Sequence, residues 1–417
     1  MVAHPRTFLL RAKVIVTCAG TASQNGISYE QLGMYSPGAL LCVDGLVVEV
    51  GAPADVERAL KALPMLRDVA TWDYGDCIIV PGFVDAHTHP LFAGDREPDF
   101  AARQRGERAP LGMLYTVAQT RRALEDPQAK HAFWNRVEAR LKTIGRHGTT
   151  TLEVKTGYAL HKDGETQLLD LIDDHKDEPG LPRLISTFLG AHALPPEFSE
   201  ERPFVDYLIE HLIPVAKAHG AVYADAFCEP GFFSPVQTRR YLEAAQSHGL
   251  RLRVHCDEMT FGGAAEMAAL LNVDAIDHAN CIREQDVDAI VQRGIVTVAC
   301  PATIAYLDLQ EKAPVRALLE RGGRVALASD YNPGTSPCFN LQTVAYFGRK
   351  FFGLSAAEAL FGVTRAAADS LHVDAGRLAP GGRADFVALE IDSPDEFGWQ
   401  FGGNLAKAVV RNGMVIA

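Results

Sequence analysis

The sequence has no Cys-x-x-Cys pair. Its eight cysteines (Cys18, Cys42, Cys77, Cys228, Cys256, Cys281, Cys300 and Cys338) are scattered over 417 residues. That spacing argues against a zinc finger or a disulfide framework and for reduced thiols in a cytoplasmic protein. No apolar run is long enough to cross a bilayer, so no membrane association is expected. In the opening stretch "MVAHPRTFLLRAKVIVTCAG", Arg11 and Lys13 interrupt what would be the apolar part of a signal, so a strand is expected there and not a secretory leader. Basic residues are in deficit: 40 Lys and Arg face 52 Asp and Glu, for a net charge of −12. That balance argues against nucleic acid as a main partner, because phosphate binding needs a basic face. The phosphate loop G-x-x-x-x-G-K-[ST], the dinucleotide loop G-x-G-x-x-G and the nucleophile elbow G-x-S-x-G are all missing. Gly262-Gly263 and Gly322-Gly323 read as turns.

What is present is an alternation. Eight short apolar runs, "CIIVPGFVDAHTH", "TTTLEVK", "RLISTFLGAHA", "YADAFCE", "LRLRVHCDE", "AIDHANCI", "IVTVACPA" and "VALASDYN", are separated by amphipathic stretches such as "ETQLLDLIDDH", "VQTRRYLEAAQSHG", "AAEMAALLN" and "REQDVDAIVQRG". Strand and helix repeated eight times spell a parallel (β/α)8 TIM-type barrel. Both ends of the chain differ from this middle. "AKVIVTC", "GALLCVDG" and "LVVEVG" near the start, and "GRADFVALEI" and "AKAVVRNGMVIA" near the end, are short β-type runs; Asn412-Gly413 is a hairpin signal. The expected organisation is a small β-sandwich domain built from residues 1–76 and 376–417, bracketing a barrel over 77–375.

A barrel carries its chemistry at the C-terminal ends of its strands. Metal-type side chains recur at those positions: His87 and His89 on run one, His192 on run three, His255 and Glu258 on run five, His278 on run six and Asp330 on run eight. Alternate residues of a strand face the same way, so His87 and His89 can both point inward. His87, His89, His255 and Asp330 are candidate ligands for one divalent metal ion, with room left for water. Bound water on such an ion is far more acidic than bulk water. A single strand-end histidine is more often structural. His161, His175, His211, His219 and His372, in helical or loop stretches, take that reading, whereas recurrence at successive strand ends favours function. Cys256 would point away from its neighbour His255.

The succession "PGFVDAHTH", "VHCDE", "DH" and "ASDYNPGTSP" resembles the amidohydrolase superfamily. The longer blocks "HTHPLFAGDRE", "GTTTLEVKTGYAL", "STFLGAHALPPEF", "VHCDE", "SDYNPGTSP" and "GRADFVALE" narrow the resemblance to the imidazolonepropionase family, from about Val47 to Val415. The resemblance implies a hydrolase acting on the C–N bond of a cyclic amide, converting 4-imidazolone-5-propanoate to N-formimino-L-glutamate in histidine degradation. It implies His87, His89, His255 and Asp330 as ligands of a zinc or iron ion. Glu258 becomes the acid/base, with His278 near the scissile carbonyl. Arg96, Tyr158, His192, Asn332 and Gly334 become substrate-binding residues. Taken alone, Glu258 or Asp330 can carry a proton, and the planar fork of Arg96 suits a carboxylate tail on the substrate. The sequence departs from the family in places. A glycine-rich stretch and a tyrosine are missing between Arg96 and Thr116, where Tyr115 is the available replacement. "TGYA" stands at Thr156–Ala159, "ANCI" follows His278, and "ACPAT" lies on run seven. A sister amidohydrolase acting on a thio-, N-methyl- or hydantoin-like ring, or a heterocycle deaminase, therefore stays open. A non-catalytic scaffold predicts lost ligands, and all are present. A homodimer is expected as the commonest closed assembly.

Overall fold

The N-terminal segment forms five strands: β1 (Phe8–Val16), β2 (Met34–Tyr35), β3 (Gly38–Val43), β4 (Leu46–Gly51) and β5 (Ala70–Pro81). Eight more follow: β6 (Phe83–Asp85), β7 (Thr149–Lys155), β8 (Arg183–Ala191), β9 (Tyr223–Cys228), β10 (Arg251–Cys256), β11 (Ala275–His278), β12 (Val296–Ala299) and β13 (Val325–Leu327). The chain closes with β14 (Phe386–Leu389), β15 (Ala406–Arg411) and β16 (Met414–Val415). The structure is a computed structural model and describes residues 6–20, 23–66 and 69–417. The first five residues of the N-terminal strand reading lie outside the described residues.

The two chain ends share one mixed sheet, in the order β16-β15-β14-β5-β1-β3-β4, with β2 beside β1. Its far edge returns to the segment leading into β14: Leu46 bridges Arg383, and Val47 N–H donates to the Gly382 carbonyl at 2.8 Å. The expected sandwich is therefore one continuous sheet folded over a core of Phe8, Leu10, Leu40, Ile79, Phe386 and Val410. The hairpin joining β15 to β16 turns at Asn412 and Gly413, with φ of 52° and 71°, the left-handed pair that Asn-Gly supplies at least cost.

Strands β6 to β13 form the second sheet, each parallel to the next. The alternation read from the sequence is thus the observed architecture. Every residue of β7, β9, β11, β12 and β13 is buried, as expected where helices cover one face of a parallel sheet and the barrel interior covers the other. The amphipathic stretches form helices at Lys162–His175, Pro235–Ser247, Ala264–Leu271 and Glu284–Gln292. Run one divides: Cys77–Pro81 completes β5 of the terminal sheet, and the barrel begins only at Phe83. Gly82 sits at the joint, where a Cβ would lie 2.2 Å from Thr150 Oγ1. Two backbone hydrogen bonds close the barrel beyond β6 and β13: Asp330 N–H to His87 O at 3.0 Å and His89 N–H to Tyr331 O at 2.9 Å. Among the described residues, no helix is long and apolar enough to cross a membrane.

Candidate active site

The closing hydrogen bonds of the barrel bring the histidine pair of run one against the aspartate of run eight. His87 Nε2 lies 3.2 Å from His89 Nε2, and each lies 3.4 Å from Asp330 Oδ1. Ligand atoms about 2.05 Å from a tetrahedral ion stand about 3.3 Å from one another, so this spacing fits one ion. His255 approaches from the other side of His87, with ring centroids 4.5 Å apart. Donor atoms of His87, His255 and His278 lie within 4.8 Å of one another, as do those of Glu258, His278 and Asp330. All of these residues are buried. His278 and Asp330 have φ of 68° and 52°, a backbone setting that costs a non-glycine residue about 1–3 kcal/mol and tends to persist at functional sites.

Protonation at the centre follows from its partners. His87 Nδ1 is 2.8 Å from Asp277 Oδ2, and His255 Nδ1 is 3.0 Å from Asp225 Oδ2. A carboxylate only accepts, so each Nδ1 carries the proton, and the Nε2 lone pair is left for a cation. Burial lowers the pKa of His89 well below the ordinary histidine value and so favours the neutral, ligating form. Burial acts against the Asp330 carboxylate, but the nearness of His87, His89 and His278 prevails and holds it ionised; Thr303 Oγ1 donates to its Oδ2 at 2.7 Å. Glu153, Asp225, Asp277 and Asp330 carry four negative charges, and Lys155 and Arg253, ion-paired among them, return two. A divalent ion would neutralise the remainder. His87 Nε2, His89 Nε2 and Asp330 Oδ1 face one another within 3.4 Å, an arrangement that suits such a cation.

Above this centre is a cavity of about 290 Å³. His89, His255, Glu258, His278 and Asp330 form its floor, and Arg96, Tyr158, His192 and Asn332 form its walls. Burial raises the pKa of the Glu258 carboxyl; its Oε2 is 3.8 Å from His278 Nε2. Burial lowers that of His278. His192 is lowered to about 3, chiefly by burial, and is neutral. Its Nδ1 is 2.9 Å from the Gly157 carbonyl, so Nδ1 donates and Nε2 presents an acceptor to the cavity. Arg96 Nε donates to Asp99 Oδ2 at 2.7 Å. Asp99, fully buried, also accepts from the backbone of Leu111 and Gly112, which locks the arginine to the start of the helix Gly112–Ala123.

Two substrate-site expectations take a different shape. The Asn332 amide is spent on its own loop: Nδ2 donates to Asp330 O and Thr335 Oγ1, and Oδ1 accepts from Gly334 and Thr335 N–H. Gly334 does not line the cavity. It makes room for Arg96, whose Nη1 would lie 2.1 Å from a Cβ at that position. In the region without the family tyrosine, Met113 faces the cavity, whereas Tyr115 packs near Gly94. Met259, Phe227 and Phe232 complete an apolar side. Cys256 is buried and takes no part in the cavity lining. His161 caps a helix and His175 stacks on Trp134, structural roles as expected. Strand-end reasoning misses Glu153, Lys155, Asp225, Arg253 and Asp277. Their signal is charge within a short strand run flanked by apolar residues, where burial tolerates only a paired ion.

The Amidohydrolase family profile matches residues 93–416. The imidazolonepropionase of Parabacteroides distasonis is 34% identical over 420 residues, covering 98% of each chain. That of Rubrobacter xylanophilus is 37% identical over 408 residues, covering 95% of each. The structure of E. coli guanine deaminase superposes with a TM-score of 0.73 at 18% identity, covering 99% of both chains, a likeness of fold.

Proposed function

The chain belongs to the amidohydrolase family and, within it, to the imidazolonepropionase family, and from that premise we propose that it hydrolyses the ring amide C–N bond of 4-imidazolone-5-propanoate to give N-formimino-L-glutamate, a step of histidine degradation. The observation that carries the reading is one cavity that holds a histidine–aspartate cluster with ion-like spacing, a buried glutamic acid and an arginine. His87, His89, His255 and Asp330 would hold one divalent ion, zinc or iron. When bound, the ion supplies Lewis acidity and a more acidic water as the nucleophile.

The chain's own groups do the rest. Arg96, fixed through Nε by Asp99, turns its remaining N–H groups to the propanoate. His192 Nε2 accepts a ring N–H, and Tyr158, whose hydroxyl burial keeps protonated, donates. Glu258 takes the proton of the attacking water and returns it to the leaving ring nitrogen. Its raised pKa suits it to both halves of that transfer. Asp330, ionised and engaged by Thr303, suits the ligand role better than that of proton carrier. His278, neutral and without a hydrogen-bond partner on either ring nitrogen, can donate to the developing oxyanion. Asn332 and Gly334 serve by shaping the loop that packs on Arg96.

Met113 and Met259 on the cavity wall favour one second reading, a sister substrate with a methylated or thio-substituted ring. Eight free thiols support a cytoplasmic setting, and a homodimer is the assembly we propose. The test is turnover by the metal-loaded chain of imidazolone propanoate beside its N-methyl, thio and hydantoin analogues. Loss of ring absorbance is followed together with metal content. No ring opening of any of them refutes the reaction class, and preference for an analogue reassigns the substrate.

A further inference from the structure

Directly beneath the candidate ligands, Asp225, His255 and Asp277 present donor atoms within 4.8 Å of one another, a grouping suited to a second cation. A side chain is already there. Lys155 Nζ lies 2.7 Å from Asp225 Oδ2, 2.7 Å from Glu153 Oε1 and 3.4 Å from Asp277 Oδ2. Lysine has three N–H donors and no acceptor; here it donates to Glu153 and Asp277 and ion-pairs with Asp225, so carboxylates from β7, β9 and β11 surround it. The ammonium is fully buried and does not line the cavity, so no substrate atom reaches it. Two of its partners are the carboxylates that hold the Nδ1 protons of His87 and His255. Arg253 Nη2 donates to the other oxygen of Asp277, at 2.7 Å, and to the Ala86 carbonyl, at 2.9 Å, leaving the space between the carboxylates to lysine.

We propose that the Lys155 ammonium takes the place of a second metal ion. It supplies the positive charge that two histidine-linked carboxylates require, and it limits the centre to one ion. A lysine does this without depending on metal supply. It also holds Asp225 and Asp277 at hydrogen-bonding distances, longer than the roughly 2.0–2.2 Å of a zinc–carboxylate bond. Both histidine rings therefore stay aimed upward at the first ion. Lys155 is in this sense a positioning residue that also sets metal stoichiometry. The inference rests on the one-ion reading of the upper site.

The experiment is metal counting on the full chain with excess Mn²⁺ or Zn²⁺ after desalting, combined with electron paramagnetic resonance of the manganese form. Wild type should hold one equivalent and give an isolated-ion spectrum. Lys155→Ala should take up about one further equivalent and show a spin-coupled pair, while Lys155→Arg, which keeps the cation, should stay at one. If Lys155→Ala folds only in excess divalent ion, that rescue supports the proposal equally. Three results overturn it: a second coupled ion in wild type, Lys155→Ala remaining at one equivalent, or a Lys155→Ala chain that no ion concentration recovers. A wild type that binds no ion at all refutes the one-ion reading and this inference with it. One ion in both proteins refutes the inference alone.

Discussion

Gly334→Ala is the sharpest probe of how the arginine is placed. A Cβ at 334 would lie 2.1 Å from Arg96 Nη1 and 2.7 Å from its Cζ. Ordinary contact between such atoms is roughly 3.5 Å, so the guanidinium must retreat by more than about 1 Å. The Nε bond to Asp99 starts at 2.7 Å, and a retreat of that size takes it to the limit of hydrogen bonding or breaks it. The backbone at 334 is not among the left-handed glycines, so alanine fits its conformation and the fold should survive. What is lost is the aim of a charge-assisted hydrogen bond, worth about 1.5–3 kcal/mol, or about 10- to 150-fold in kcat/KM. Because the carboxylate grip holds ground and transition states alike, the loss should appear in KM. Steady-state kinetics on imidazolone propanoate and on a neutral ring analogue, with melting temperature as the fold control, make the assay. Arg96→Ala should raise KM for the acidic substrate in the same way and spare the neutral one. In the Arg96→Ala background, Gly334→Ala should cost nothing more. An unchanged KM in Gly334→Ala, or the same penalty with Arg96 already gone, refutes the reasoning.

Other outcomes follow from the same geometry. Glu258→Gln should lower kcat by about 10²–10⁴ with metal content intact; a metal-replete variant with near-normal kcat would remove Glu258 as proton carrier. Asp277→Asn replaces the acceptor that fixes His87 Nδ1 and should weaken metal affinity by about 10- to 100-fold, read by chelator competition. Affinity equal to wild type would show that the ring needs no such anchor. In the terminal sheet, burial raises the Asp385 carboxyl above its ordinary value, against the Asn412 N–H and Arg183. A folded-state pKa above the unfolded one favours folding at low pH, and that stability is lost as pH rises through the folded value. Asp385→Asn should therefore gain on wild type in urea unfolding as pH climbs from about 4. A difference that does not change with pH would contradict the sign.

The barrel is legible in the sequence because a parallel strand is buried on both faces, and its signal is a bare apolar run between amphipathic stretches. The polar residues that end those runs are legible as well: His87, His89, His255, His278 and Asp330 recur at the C-terminal ends of successive strands, where a barrel keeps its chemistry, and all are buried there. The hairpin at Asn412-Gly413 needs only local backbone chemistry. Other features depend on atoms far apart in the chain. The partners of Lys155 and Arg253 include Asp277, 122 and 24 residues away, and no local pattern pairs them. Only the closed barrel brings these charges within hydrogen-bond reach, and without that pairing none could be buried. That Met113 and not Tyr115 meets the cavity depends on how the helix Gly112–Ala123 is anchored through Asp99. That Gly334 serves Arg96 through an absent Cβ depends on two loops meeting over the barrel. Local sequence thus determines which residues are available at the strand ends, and tertiary packing decides which atoms face one another, because distance and desolvation exist only once the barrel has closed.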